Sequence, residues 1–199
     1  MGEFTLSLTW EQKMEDAIKE MLNHESYRQV IEPEHTKKTP ERVVKAFKEY
    51  FRGCEVDIGT LLTSALFSSN SYSQMVHVRD ITFFSVCAHH LALISGTVHF
   101  AYVPAAYIIG LSKIPRLVDA YARRPQVQEN MTAQIADAFM RYVLPAGCGV
   151  SVRADHACMQ CRGVRAENAV TETMALRGSF LENTLTRQEF ISSILRGQR

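Results

Sequence analysis

A chain of 199 residues with 46% hydrophobic content can bury a full core and sits near the size of one globular domain rather than two. Its formal net charge is +1, so no global field draws it to nucleic acid or membrane, and any anion recognition is local. No run approaches the roughly 18 apolar residues of a membrane helix, and the polar start Met1-Gly2-Glu3-Phe4 lacks the apolar core of a secretory signal; the expectation is a cytoplasmic protein with neither membrane nor nucleic-acid partners.

Taken in chain order, Trp10, Met14, Ala17, Ile18, Met21 and Leu22 fall at helical spacing and predict an amphipathic helix. A second opens at Thr39-Pro40, where threonine can cap and proline suits the first helical position, with Val43, Phe47, Tyr50 and Phe51 as its apolar stripe. The serine-rich segment from Gly59 to Gln74 has no period and reads as loop. Met75 to Val86 and Thr97 to Val103 read as two antiparallel strands around Gly96. Ser112 caps a helix bearing Ile114, Leu117, Val118 and Tyr121, and a longer helix follows from Gln126 to Leu144, stopped by Pro145-Ala146-Gly147. Val150, Val152 and Ala154 alternate with polar residues in a half-buried strand that delivers His156 and Cys158 at its end. Thr171 to Leu176 reads as another strand. Thr186-Arg187-Gln188-Glu189 reads as a capping box opening a last helix with Phe190, Ile191, Ile194 and Leu195 inward. The class is α+β with an antiparallel sheet.

Five cysteines in a chain expected to stay reduced favour metal binding or catalysis over a disulfide framework. Cys54 and Cys148 lack ligand-like neighbours and read as small buried apolar residues. Cys87, His90 and Cys158 form a soft ligand set that suits zinc, provided the chain bends after Val86 and the two strand ends are neighbours. Three ligands leave a position open for water; Cys161, in Cys158-Met159-Gln160-Cys161, would close the site as Cys₃His, and a redox dithiol is a further reading. Spacing leaves all three open. His89 and His156, each within two residues of a proposed ligand, favour a hydrolytic centre, because imidazoles exchange protons near neutral pH. Ser112 and Lys113 at a helix start, with Arg116 one turn on, suit an anion. Arg42, Lys45, Arg162 and Arg165 join them only if folding allows it.

From Thr39 to the C-terminus the chain resembles the GTP cyclohydrolase I family. The motifs are Thr39-Pro40-Glu41-Arg42-Val43, Val78-Arg79-Asp80-Ile81, Cys87-Ala88-His89-His90, Ile109-Gly110-Leu111-Ser112-Lys113, Arg124-Pro125-Gln126-Val127-Gln128-Glu129, His156-Ala157-Cys158-Met159 and Arg162-Gly163. Residues 1–38 resemble it only as a helical N-terminal region. The resemblance implies a tunnelling fold over 39–199, an antiparallel sheet with helices on one face, assembled into a homo-oligomeric ring, typically a decamer, with active sites between subunits. It implies Zn2+ on Cys87, His90 and Cys158, with Cys161 outside the ligand set, and catalytic roles for His89, His156 and Ser112. Arg42, Lys45, Lys113, Arg116 and Arg162, together with Ser112, would hold a triphosphate, Arg42 and Lys45 coming from a neighbouring subunit. Gln128 and Glu129, with backbone near Leu111, would read the guanine edge, Glu129 as a buried carboxylate.

The implied reaction opens the imidazole ring of GTP at C8, releases formate and forms 7,8-dihydroneopterin triphosphate. One departure stands out: Ala88 occupies a position where the family usually has glutamate. It opens the alternative of a specialised homologue that acts on another purine nucleotide or stops at ring opening. A further alternative is an inactive ring-forming protein that keeps zinc for structure.

Overall fold

The computed structural model describes residues 8–195; the polar start Met1–Phe4 lies outside them. The chain divides into two compact units, 1–50 and 51–199. In the first, α1 (Trp10–Asn23) is fixed by a reciprocal capping box, Thr9 accepting from the Gln12 N–H while the Gln12 side chain accepts from the Thr9 N–H. Two single turns, α2 (Glu25–Arg28) and α3 (Pro33–Thr36), lead to α4 (Thr39–Phe51). Pro40 and Val44 are the buried residues of α4, with Val43, Phe47 and Tyr50 half-buried, and Lys48 reaches Glu11 of α1 at 3.0 Å.

The second unit begins with a 3₁₀ turn, Arg52–Glu55, and with α5 (Ile58–Thr63) and β1 (Leu66–Ser68), where the sequence predicts loop. Asp57 starts α5 by accepting from the N–H groups of Gly59 and Thr60, and Leu62 anchors it in the core. A six-residue helix with one fully buried residue is too short to register as a period. β1 pairs with β4 (Tyr107–Ile109), another short strand that reading missed.

β2 (Val76–Cys87), β3 (Leu93–Val103), β5 (Pro125–Gln126), β6 (Gly147–His156) and β7 (Thr171–Gly178) form a sheet in the order β5-β2-β3-β6-β7, antiparallel except for the β5–β2 pair. Gly96 does not mark the turn between β2 and β3. It lies inside β3, opposite Phe83 and Ala154, where a Cβ would stand 2.1 Å from the Arg153 carbonyl oxygen; close strand approach requires the glycine. The turn is Ala88–Ala92.

On one face, α6 (Lys113–Ala122) and α7 (Gln128–Val143) bury Ile114, Leu117, Ile135 and Phe139 against Phe100, Val150 and Val152. Ser112 precedes α6 without a capping side-chain bond, which leaves its exposed hydroxyl available. α7 starts two residues later than expected because Pro125-Gln126 pairs with β2, and it ends where Leu144 turns left-handed at φ +55°.

α9 (Ser179–Glu182) and α10 (Thr184–Leu195) cover part of the other face, with Phe180, Phe190 and Ile194 against Ala101. Asn183, rather than Thr186, caps α10, its side chain accepting from the N–H groups of Leu185 and Thr186. Leu195, expected inward, is exposed, while Phe190 and Ile194 are buried. Cys54 is also exposed, in the 3₁₀ turn, and only Cys148 behaves as the buried apolar residue both were expected to be; burial pushes its thiol up to about 12.

His77 of β2 sits on this second face, its ring 5.6 Å from that of Phe190. Ser193 donates to the Phe190 carbonyl, so His77 Nδ1–H donates to the Ser193 hydroxyl, and Nε2 is buried without a partner among the described residues. Burial, reinforced by Arg79 and His99, lowers the His77 pKa from 6.5 to about 4. The folded state therefore excludes a proton that the unfolded chain accepts, and stability present above pH 6.5 is lost as pH falls toward 4. Thermal melts across that window should show the midpoint falling with acid, and His77→Phe should flatten the fall; an unchanged slope in the variant contradicts it.

Candidate active site

The site is assembled by strand ends. At the end of β2, Cys87 N–H donates to the Ala92 carbonyl and Leu91 N–H to the Cys87 carbonyl, a tight turn with Leu91 at φ +52° that carries His89 and His90. The parallel pairing of Cys87 with Gln126 brings the start of α7, and with it Gln128 and Glu129, alongside. The pairing of Ile94 with His156 brings the end of β6 to the same place, where the single turn α8 (Ala157–Gln160) presents Cys158.

The ligand atoms of Cys87, His90 and Cys158 lie within 4.8 Å of one another. Cys87 is buried, Cys158 half-buried and His90 exposed. The two sulfurs are 3.9 Å apart. Tetrahedral zinc with bonds of ~2.3 Å to sulfur would set them ~3.8 Å apart, so both the spacing and the soft donors fit such an ion. Cys161 stands outside this set, exposed, its thiol donating to the Ala157 carbonyl at 2.9 Å. Burial and the neighbouring Cys87 thiol push the Cys158 pKa up; a bound cation would act in the opposite direction.

A cavity of about 320 Å³ adjoins the cluster, lined by Cys87, His89, His90, Gln128, Glu129, His156 and Cys158 together with Gln126, Val127, Met159 and Thr171. His89 Nδ1 is 3.8 Å from the Cys87 sulfur. His156 Nε2 is 2.7 Å from Gln128 Oε1, and burial lowers the His156 pKa, partly offset by the Glu129 and Asp155 carboxylates. The site thus combines a soft metal-ligand set, a neutral imidazole and a carboxylate in one concave space, the equipment of metal-assisted hydrolysis.

Two expectations change. Glu129 lines the cavity but is exposed in the single chain rather than buried, and Gln128 is the buried member, its amide turned into the fold. Among the described residues, the lining does not include Leu111, Ser112, Lys113, Arg116 or Arg162. Lys113 Nζ donates instead to the Ser64 hydroxyl at 2.9 Å, and Arg42 and Lys45 are exposed on α4 of the first unit. The sequence did not single out Met159 or Thr171 as lining residues; only cross-strand pairing puts them there.

Fold and site together define an α+β protein with a Cys-His-Cys group able to hold a metal ion, opening on a cavity that His89, His156, Gln128 and Glu129 also line. Residues 14–195 match the family model for GTP cyclohydrolase I, and the chain belongs to that family. The match starts well before Thr39, so the N-terminal helices belong to it too. The chain is 47% identical over 184 residues to GTP cyclohydrolase 1 of Campylobacter lari, covering 92% of this chain and 95% of that one. It is 52% identical over 157 residues to GTP cyclohydrolase 1 of Campylobacter curvus, covering 79% and 82%, and 48% identical over 164 residues to GTP cyclohydrolase 1 of Parabacteroides distasonis, covering 82% and 83%.

Removing a ligand should weaken metal binding more than the ~10–100-fold typical of losing a ligand's hydrogen-bonding partner. In competition with a chromophoric chelator, Cys158→Ala should lose zinc affinity by at least ~100-fold while Cys161→Ser retains it. Equal losses in the two variants would contradict a three-residue set.

Proposed function

We propose that this chain opens the imidazole ring of GTP at C8, releases formate and forms 7,8-dihydroneopterin triphosphate, with zinc held by Cys87, His90 and Cys158. The carrying observation is the single cavity that joins those three side chains to His156, His89 and Glu129, in a chain of the GTP cyclohydrolase I family. Zinc bound there supplies Lewis acidity and lowers the pKa of water. The chain's own residues do the rest. His156, neutral because burial holds its pKa down, takes a proton from the attacking water and returns it to the purine ring nitrogen as the C8–N bond breaks. His89, beside the Cys87 sulfur, serves the later proton transfers of ribose opening and ring closure, together with the Ser112 hydroxyl.

Glu129 accepts from the guanine N1–H and exocyclic amine. Adenine offers an acceptor at N1 and would leave that carboxylate unpaired, which is how a buried polar site rejects a near relative. Substrate binding would bury Glu129, now exposed.

The triphosphate is assigned to Ser112, Lys113, Arg116 and Arg162, with Arg42 and Lys45 from another subunit. Ser112, Lys113, Arg116 and Arg162 are not among the lining residues of the cavity in one chain, which supports a homo-oligomer, a decameric ring on the family pattern, with sites completed between subunits. The edge strand β7 and the exposed Met174, Leu181 and Leu185 support the same assembly.

Ala88 sits exposed on the turn between Cys87 and His89 and brings no carboxylate to the cavity mouth, so the extent of reaction is tested directly. Zinc-loaded protein incubated with GTP and then oxidised should yield pterin fluorescence that a zinc-stripped control lacks. Formate without fluorescence would mean that reaction stops after ring opening; neither product would overturn the proposal. His156→Ala should lower kcat by about 10²–10⁴-fold with zinc content unchanged.

A further inference from the structure

We infer that Gln128 is a positioning residue: it fixes the ring of His156 with its proton on Nε2 and leaves Nδ1 as the nitrogen that exchanges protons, and it does not read the base. The inference rests on the catalytic role proposed for His156. It starts from the amide itself. Gln128 is 2% exposed, and its Nε2 lies 3.3 Å from the Val152 carbonyl oxygen, 3.0 Å from the Thr171 carbonyl oxygen and 3.2 Å from the Thr173 hydroxyl.

Two of those three partners are carbonyl oxygens, which only accept, so the NH₂ end of the amide must face them. The opposite orientation would bury three oxygens against one another. Oε1 is thereby turned toward His156, 2.7 Å away. An amide oxygen cannot donate, so His156 Nε2 carries the hydrogen and, in the neutral ring, Nδ1 carries the lone pair.

A closed circuit holds the arrangement. Thr132 donates its hydroxyl proton to the Gln128 carbonyl at 2.7 Å. The 2.6 Å contact between the Thr132 and Thr173 hydroxyls therefore has Thr173 donating, and Thr173 in turn accepts from the Gln128 amide. Backbone carbonyl, side-chain amide and two hydroxyls of α7 and β7 thus satisfy one another, with β6 and its neighbour supplying the carbonyls. Such a connected buried network holds its members in one geometry. Both amide hydrogens are committed to the fold and the oxygen to His156, so Glu129, its neighbour in sequence, is left to face the base.

The test combines kinetics with a direct view of the ring. In the full-length, zinc-loaded protein, ¹⁵N spectra of labelled histidine should report His156 as the Nε2–H tautomer, and Gln128→Met should convert it to a mixture. Gln128→Met should lower kcat about 10- to 100-fold, the usual cost of losing the group that orients a functional histidine, with KM for GTP little changed, and the GTP-to-inosine-triphosphate ratio of kcat/KM should stay constant. Thr173→Val, which keeps Gln128 and removes one of its acceptors, should shift kcat in the same direction by less, and it stands in if Gln128→Met does not fold. A wild-type His156 protonated on Nδ1, or a KM rise with an altered nucleotide ratio, would overturn the inference. Because the tautomer is read without turnover, an enzyme inactive on GTP would sink the proposed function and leave this assignment standing.

Discussion

The hydrogen-bond register among β5, β2, β3 and β6 is the constraint on which the site depends. Cys87 opposite Gln126 and Ile94 opposite His156 put three chain segments, far apart in sequence, together at one end of the strands. A slip of one residue would turn every side chain on that strand to the opposite face, and Cys87 would then point away from Cys158. The register is defended by burial. Val98, Phe100, Val150 and Val152 are fully buried under α7, so a slip would expose a whole apolar set, each residue contributing about 1.5–3 kcal/mol when buried. Gly96 adds a steric lock, since only hydrogen fits against the Arg153 carbonyl.

Upon that frame the chemistry divides between rigid and exposed groups. Gln128, Thr132 and Thr173 are held by one another, and His156 is held by Gln128. His90, His89 and Glu129, by contrast, are exposed in the single chain. An imidazole on a fixed support beside side chains open to solvent is an arrangement that can orient reacting atoms. Ser112, Lys113, Arg116 and Arg162, proposed for the triphosphate, are not among the residues that line the cavity at this site.

Much of this was legible in the sequence where one face of an element is buried over several turns or pleats. α1, α4, α6, α7 and β6 announce themselves by period, β2 by its β-branched and aromatic content, and the candidate ligands Cys87, His90 and Cys158 by residue type at strand ends. Short elements did not: α5 has one buried anchor, and β4 and β5 span three and two residues. Gly96 carried a turn signal that the neighbouring strand overrode. Asn183 was hidden because Thr186 through Glu189 forms a complete capping pattern three residues too late. The bond from Gln128 to His156 spans 28 residues and exists only because β5 adds to the sheet in parallel. The family resemblance was strong enough to name Gln128 as important and could not say which way its amide turns. Cys161 was ambiguous by spacing; its thiol is directed at the Ala157 carbonyl, outside the group that Cys87, His90 and Cys158 form.

The proposed chemistry requires a three-residue metal centre whose remaining position is free for water. X-ray absorption at the zinc edge of the zinc-loaded full chain tests it most directly. The expected coordination is two sulfurs and one imidazole nitrogen completed by a light oxygen or nitrogen, the same in wild type and in Cys161→Ser. A shell of three sulfurs and one nitrogen that loses one sulfur in Cys161→Ser would contradict it and make the centre a closed structural site.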